Sequence, residues 1–287
     1  MKIGRFTFVA AALLVTTACG SPANDASKSP TNSATPSSSV SVSPTPSTSP
    51  SEVKVAAIYF VGDTAQGLRL YREFHTIPVE LGSSIGLASL KYIVAQGTKA
   101  LDQDYINVWG NDSSINSITQ VGSTATVDLS IAHLNVGAEA EIRAIDQLVW
   151  TLTANDKTIH TVRFVSDGVP LESFAGHVDA TGTFERESTF DVVAPIWVDA
   201  PISPLSNPVT FTGTACTFEA GVAWTLTQSG SVVKTGSTTA AQACPVRSAW
   251  SVQLGTLKAG DYVFTAIDYS AQDGSIDQQD SKAFTVK

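Results

Sequence analysis

The sequence predicts an α+β domain with a mixed sheet and two helices, followed by an all-β sandwich, with a disordered Ser/Pro/Thr-rich linker ahead of both. Three observations predict this. Residues 21–51 carry almost no large apolar side chain, so they cannot offset the entropy of ordering. Residues 53–178 mix strand-like runs with two helical stripes, the pattern of layered elements sharing one core. From residue 192 to 287 there are only short alternating strands separated by turn residues, as a sandwich requires.

In the first domain, VKVAAIYFVGD and LRLYREFHTIPVEL read as two strands rich in branched and aromatic residues. Leu87, Leu90 and Val94 then recur at helical spacing, with Ser83 or Ser84 as candidate N-cap and Gly97 as candidate C-cap. SINSITQVGSTATVDLS reads as a hairpin turning at Gly122 and Ser123, with Val127 and Leu129 facing inward. AEAEIRAIDQLVWTLTAND places Ile142, Ile145, Val149 and Leu152 on one stripe, with Glu139 and Glu141 at the positive end of the helix. TIHTVRFVSDG forms a closing strand that ends at an Asp167-Gly168 turn.

The second domain reads as six clear strands, PVTFTGTAC, GVAWTLTQSG, SVVKTGST, SAWSVQLGTL, GDYVFTAIDYSA and SKAFTVK, with DVVAPIWVDAP as a first strand before them. Phe211, Trp224, Leu226, Trp250, Val252, Tyr262, Phe264, Phe284 and Val286 keep period-two spacing and are assigned to the inner faces.

The N-terminus implies export. Lys2 and Arg5 precede the apolar run FTFVAAALLV, which is far shorter than the roughly 20 residues that span a bilayer and fits a signal peptide over 1–18. The stretch TTACGSPAND then resembles the lipobox of bacterial lipoproteins, with small Thr17 and Ala18 before Cys19, although Thr16 stands where an aliphatic residue is usual. That resemblance implies diacylation of Cys19; release by ordinary signal peptidase is the alternative. Residues 19–52 become anchor and tether, whose roughly 30 residues reach about 30 Å as a coil and 90–100 Å if held extended. A Ser/Thr-glycosylated stalk is a second reading of the same stretch. Of three cysteines, lipidation of Cys19 leaves Cys216 and Cys244, about 28 residues apart in one domain and in an oxidising compartment, so a disulfide is expected. Removing the leader with Lys2 and Arg5 takes the net charge from −9 to −11, a surface that repels nucleic acid and anionic polymers.

The run TVDLSIAHLNVGAEAEIRAIDQLVWTLTANDKTIHTVRFVSDGVPL closely resembles the GerM-type domain of bacterial sporulation and spore germination proteins. The likeness lies in its Val-Asp-Leu strand, its helix ending in a Thr-Leu pair, and its Val-Arg-Phe strand closing on Asp-Gly; AAIYFVGD fits as the opening strand. Gly97-Thr98 replaces the usual Gly-Pro. The C-terminal part resembles the immunoglobulin-like domain that accompanies such domains, through its Pro-Val-Thr-Phe-Thr-Gly strand, Phe218-Glu219-Ala220, the Trp224 strand, the Gly-Asp-Tyr-Val-Phe strand and the turn at Asp273-Gly274-Ser275. These resemblances imply an envelope, sporulation or germination role carried out through contacts.

Candidate chemistry is sparse. Gly82-Ser83-Ser84-Ile85-Gly86 matches the nucleophile elbow GxSxG, but TIPVEL, with Pro78 and Glu80, is a poor buried parallel strand, so a helix-capping loop accounts for it better. His75, His133, His160 and His177 are scattered, without zinc-ligand spacing, and read as surface or half-buried residues. Asp268, Asp273, Asp277 and Asp280, and likewise Asp102, Asp104 and Asp112, lack calcium-loop spacing and read as solvated turns. Trp109 and Trp197 are candidates for a binding surface, or else domain-packing residues. The expectation is a lipid-anchored, outward-facing, non-enzymatic binding or assembly module with no cofactor and no metal. Its partners are the membrane, through the anchor, and another envelope protein or wall component. The rivals are a wall or small-ester hydrolase using Ser84 and a glycan- or small-molecule-binding lipoprotein.

Overall fold

The computed structural model describes residues 50–109, 113–131, 134–187, 189–199 and 203–287. The leader, Cys19 and nearly all of the tether, together with Asp112 and His133, lie outside the described residues. The first part runs β1 (Ser51–Thr64), β2 (Gly67–Glu80), α1 (Ile85–Val94), β3 (Tyr105–Ile106), β4 (Ser114–Val121), β5 (Thr124–Ser130), α2 (Ala138–Asn155), β6 (Thr161–Ser166), β7 (Val169–Pro170), β8 (Thr183–Glu185) and the single turn α3 (Thr189–Val192). The second runs β9 (Ile196–Val198), β10 (Val209–Ala215), β11 (Gly221–Gln228), β12 (Ser231–Thr239), β13 (Ser248–Gly255), β14 (Gly260–Tyr269) and β15 (Ile276–Val286).

Two helices against sheet, followed by a sandwich of three-stranded (β13-β10-β9) and four-stranded (β12-β11-β14-β15) sheets, is the architecture expected. The first part differs in one respect. Its strands form two sheets, an antiparallel β2-β1-β3 and a mixed β4-β5-β6-β7 with β8 on β6, not the single one expected. Helix α2 supplies the reason. Asn155, Thr151 and Gln147, four residues apart on one face, bond the open edge of β1: Asn155 donates to Ala57 O and accepts from Ala57 N, Thr151 Oγ1 accepts from Tyr59 N, and Gln147 donates to Tyr59 O. Side-chain amides and a hydroxyl thus replace a neighbouring strand there.

Ala88, Leu90, Ile93 and Val94 of α1 and Ala144, Ile145, Leu148, Val149 and Leu152 of α2 bury against Ile58, Phe60, Ile77, Val127, Leu129 and Phe164. Ile142, assigned to the buried stripe, is exposed, because the buried arc of α2 is centred nearer Leu148. Ala95, not Gly97, caps the C-terminus of α1. In the sandwich the period-two reading holds: of the assigned inner residues, all are buried except Trp224, which is partly exposed, and Phe211 stacks on Phe264 at 4.4 Å.

The two cores meet at β9. Ile196 and Val198 point into the sandwich while Trp197 points into the first core, between the guanidinium of Arg72 and that of Arg247, 5.3 and 4.1 Å from the indole centroid. β10 lies close enough that a side chain at Gly213 would meet Trp197 O at 2.1 Å. Beside this, β15 places Asp280 and Lys282 under the first domain. Asp280 accepts from Tyr105 Oη (2.6 Å), Val198 N (2.6 Å) and Lys282 Nζ (3.0 Å), and Lys282 also pairs with Asp102. Burial and the charge of Asp280 raise the Tyr105 phenol well above its ordinary value, so it stays a donor. Ser281 donates to Asp104 in addition. The acidic residues of the last hairpin are therefore not uniformly solvated: Asp273 caps an exposed turn as expected, whereas Asp280 is buried and is an interdomain acceptor.

Candidate functional site

The positions singled out from sequence fall in separate places. Ser84 is an N-cap: its Oγ accepts from Leu87 N at 3.0 Å. The glycines of its motif serve the backbone and packing, since Gly82 sits at positive φ in the turn and a side chain at Gly86 would meet Leu152 Cδ1 of α2 at 2.8 Å. His75 is buried, neither surface nor half-buried as expected. Its two ring nitrogens bond Glu73 (2.8 Å) and Tyr92 (3.0 Å), and Glu73 also accepts from Leu101 N and Asp102 N, fixing the loop after α1. No histidine bonds Ser84 among the described residues, and none of their His, Cys, Asp and Glu side chains cluster as metal ligands. Trp109 and Trp197, offered as a binding surface, are 1% and 2% exposed; both are packing residues, Trp109 against Phe174 and Trp197 between two arginines.

Glu141, read only as a charge near a helix N-terminus, is fully buried. Its carboxylate accepts from Ser173 Oγ and from the N–H groups of Phe174, Ala175 and His177. Burial alone would raise its pKa, but these bonds hold it at about 2. It is a structural clasp for the loop after β7, and one acidic residue in an otherwise ordinary helical stripe carries no sign of it.

What the structure does present is a concave surface at one end of the sandwich. Cys216 and Cys244 are joined by a disulfide, with Cα atoms 4.6 Å apart. Between this bond and β11, Thr217 Oγ1 donates to Gly221 O, while Thr217 O accepts from Ala220 N and Cys244 N. The tight turn that results puts two consecutive non-glycine residues, Glu219 (φ 54°) and Ala220 (φ 59°), in the left-handed region, which costs roughly 1 kcal/mol or more at each. Its product is Phe218 turned out to solvent, 69% exposed. Exposed Tyr269, at the end of β14, stands across a cavity of about 430 Å³ whose walls include Cys216, Arg247, Asp268 and Asp277.

The electrostatics of this cavity are uneven. Arg247 donates to Ala194 O and Pro195 O and lies on Trp197, and burial lowers its pKa to about 10; it remains charged but is already occupied. Burial, with the like charge of Asp277, raises Asp268 to about 6. An aromatic pair beside two carboxylates that have no cationic partner, Asp268 and Asp277, the latter already accepting from Gln66 Nε2 at 3.0 Å, can hold an apolar side chain flanked by a cation. Because Asp268 is raised in the folded state, its contribution to stability is full below about pH 4 and is lost as pH rises through about 6; Asp146, also raised to about 6 by burial against the pull of Arg143, acts in the same sense. Asp268→Asn is therefore expected to raise stability at about pH 7.5 and to flatten its fall between about pH 4 and 6, read from melting curves from about pH 3.5 to 7.5.

Residues 57–172 match the family model described as sporulation and spore germination, and residues 195–275 match that of the immunoglobulin-like domain of bacterial spore germination. Among solved structures, a Clostridium perfringens lipoprotein is 19% identical and covers 47% of this chain and 88% of its own, with a TM-score of 0.33. The tandem GerMN domains of the sporulation protein GerM from Bacillus subtilis are 16% identical over 82% of this chain and 62% of theirs, with a TM-score of 0.36. The first of those domains alone is 22% identical over 44% and 92%, with a TM-score of 0.34. No curated protein matches the chain.

Proposed function

From a chain that joins a sporulation and spore germination domain to the immunoglobulin-like domain of bacterial spore germination, we propose an outward-facing lipoprotein, anchored through Cys19, that acts as a non-enzymatic binding and assembly module in the cell envelope. One observation carries the binding part of this reading: a strained, disulfide-tied turn whose effect is to hold Phe218 in solvent beside Tyr269 and two carboxylates. Strain of this kind persists where the surrounding structure enforces it, and it concentrates at sites that make contacts. The preferred partner is an envelope protein that offers an apolar side chain next to a basic one. The use of Ser84 Oγ as the N-cap of α1, accepting from Leu87 N, supports a structural role for the GxSxG serine.

Phe218→Ala and Tyr269→Ala, which remove exposed rings, are expected to leave the melting temperature within about 1 °C while failing to complement a deletion phenotype. Ser84→Ala should complement fully, and shortening the tether from about 30 residues to about five should not. Purified protein should show no esterase or muralytic turnover above a buffer blank. Cys19→Ala should move the protein from the membrane fraction to the medium or precursor pool; equal detergent-phase partitioning of variant and wild type would remove the anchor from the proposal. A Ser84-dependent hydrolysis rate would favour the enzyme instead.

A further inference from the structure

The β1–β2 ribbon is longer than the layers that cover it. Even-numbered residues of β1 bond β2, as the contact of Leu81 N with Pro50 O and the register Glu52↔Val79 and Lys54↔Ile77 show, so odd-numbered residues turn their N–H and C=O groups to the other edge. Along that edge Val61 meets β3, Tyr59 meets Thr151 and Gln147, and Ala57 meets Asn155. Beyond Ala57 the cover stops. Among the described residues, Ser51, Val53 and Val55 have no partner on this edge. Their side chains share a face with Phe74, which pairs with Ala57, and the three large apolar ones are out in solvent: Val53 is 70%, Val55 63% and Phe74 48% exposed.

An open, extended edge with exposed valines is a template for another strand. The charges on the opposite face choose which. Glu52 and Lys54 flank Val53, are about half exposed, and lie on the same side of the ribbon. We propose that this edge pairs with the same edge of a second copy of this chain, antiparallel and centred on Val53. In that register Val53 of one copy forms a hydrogen-bonded pair with Val53 of the other, and Ser51 pairs with Val55, so only the outward-facing odd residues supply bonds. Glu52 of each copy then falls directly opposite Lys54 of the other in a non-hydrogen-bonded pair, where Cα atoms are about 4.5 Å apart. The two-fold axis doubles this complementarity, because the same patch serves both sides. Shifting the centre to Val55 sets Lys54 against Ala56 and loses both ion pairs, which makes the register specific. The exposed valines of the two copies then form one apolar patch on the two central strands.

The paired stretch is short and buries less than a standard interface of about 1,600 Å², so a dissociation constant on the order of 10–100 µM is expected for the soluble chain. On the anchored reading proposed above, confinement of both copies to one surface raises their effective concentration toward the millimolar range, enough to populate the pair.

The test is sedimentation equilibrium of the full chain carrying Cys19→Ser, which removes any acyl-driven association, from about 5 to about 500 µM. A monomer–dimer equilibrium is expected. Val53→Pro deletes the central donor of each copy, and since the Val53 N–H makes no bond to β2, the fold is expected to keep its melting temperature. It should weaken association by at least about tenfold. Glu52→Lys places like charges opposite one another and should weaken it about three- to tenfold, and adding Lys54→Glu should return it to within about twofold of wild type. A wild-type chain that stays monomeric throughout, as it would if its own residues 1–49 covered the edge, overturns the proposal. So does a Val53→Pro dimer of unchanged strength, or a charge-swapped pair that is not restored.

Discussion

Asp280→Ala is expected to lower the stability of the folded chain by about 3–5 kcal/mol, a fall of roughly 10 °C in melting temperature for a domain pair of this size. The magnitude follows from what is left behind. Asp280 is 4% exposed and accepts from three groups on three segments: Tyr105 on β3, Val198 on β9 and Lys282 beside it on β15. Without it, the Val198 N–H loses its partner in a dry interface, and the buried Lys282 retains only Asp102 as a counter-charge. The cost is thus that of an uncompensated buried cation and an orphaned donor, more than that of a lost ion pair. Lys282→Met should also destabilise, and the double variant Asp280→Leu with Lys282→Met should be less damaged than the sum, because it removes the charge along with its partner. Melting curves of the four proteins form the cycle. A loss below about 1 kcal/mol for Asp280→Ala would show that water reaches this junction and screens the charge left on Lys282.

Removing the disulfide by Cys216→Ala with Cys244→Ala is expected to cost about 3.5 kcal/mol, the chain-entropy value for a loop closed across 28 residues. A second consequence separates this from a general loosening. The Thr217–Ala220 turn is held at its start by the disulfide and by the bond from Cys216 N to Pro195 O, while Glu219 and Ala220 sit in unfavourable backbone regions. Without the bridge the turn can relax to ordinary φ values, and Phe218 loses its fixed presentation. Amide exchange should therefore accelerate at residues 217–221 well before it does in β14 and β15, and binding by the Phe218–Tyr269 surface should fall more than stability does. Equal protection at the turn with and without the disulfide would show that Thr217 and Pro195 suffice to hold it.

Both effects depend on positions whose importance the sequence does not display. Asp280 lies among polar residues, IDQQDSK, and resembles a solvated turn until Tyr105, 175 residues away in the chain, is brought to it. A weak signal was present: within β15 the residues alternate, so Gln278, Asp280 and Lys282 occupy the same face as Phe284 and Val286 and must go inside with them. Phe218 is a different case. Nothing local distinguishes an aromatic residue destined for the core from one displayed on a turn, because the outcome depends on the path the disulfide and Pro195 impose on the backbone.

Trp109 and Trp197 make the complementary point. No periodic pattern claims them, since Trp109 sits in an irregular loop and Trp197 in a three-residue strand whose alternate side chains enter different cores. Period-two and helical patterns report burial only when one element faces one core; a strand shared by two cores has no polar face to reveal it.

By itself, then, the sequence determined the main elements and their order: the ribbon β1–β2, a helix capped at Ser83 or Ser84, a second helix with Ile145, Val149 and Leu152 inward, the Asp167-Gly168 turn and the sandwich strands from Val209 onward. These are local outcomes, because hydrophobic period, caps and turn residues act within a few positions of one another. The tertiary structure alone decided that α2 side chains would cover the edge of β1 at Ala57 and Tyr59, that Asp280 and Lys282 would lock β15 beneath Tyr105, and that Phe218 would be left in solvent. Each of these follows from groups more than twenty residues apart meeting where water is excluded, and there an unpaired polar group costs enough to select one arrangement.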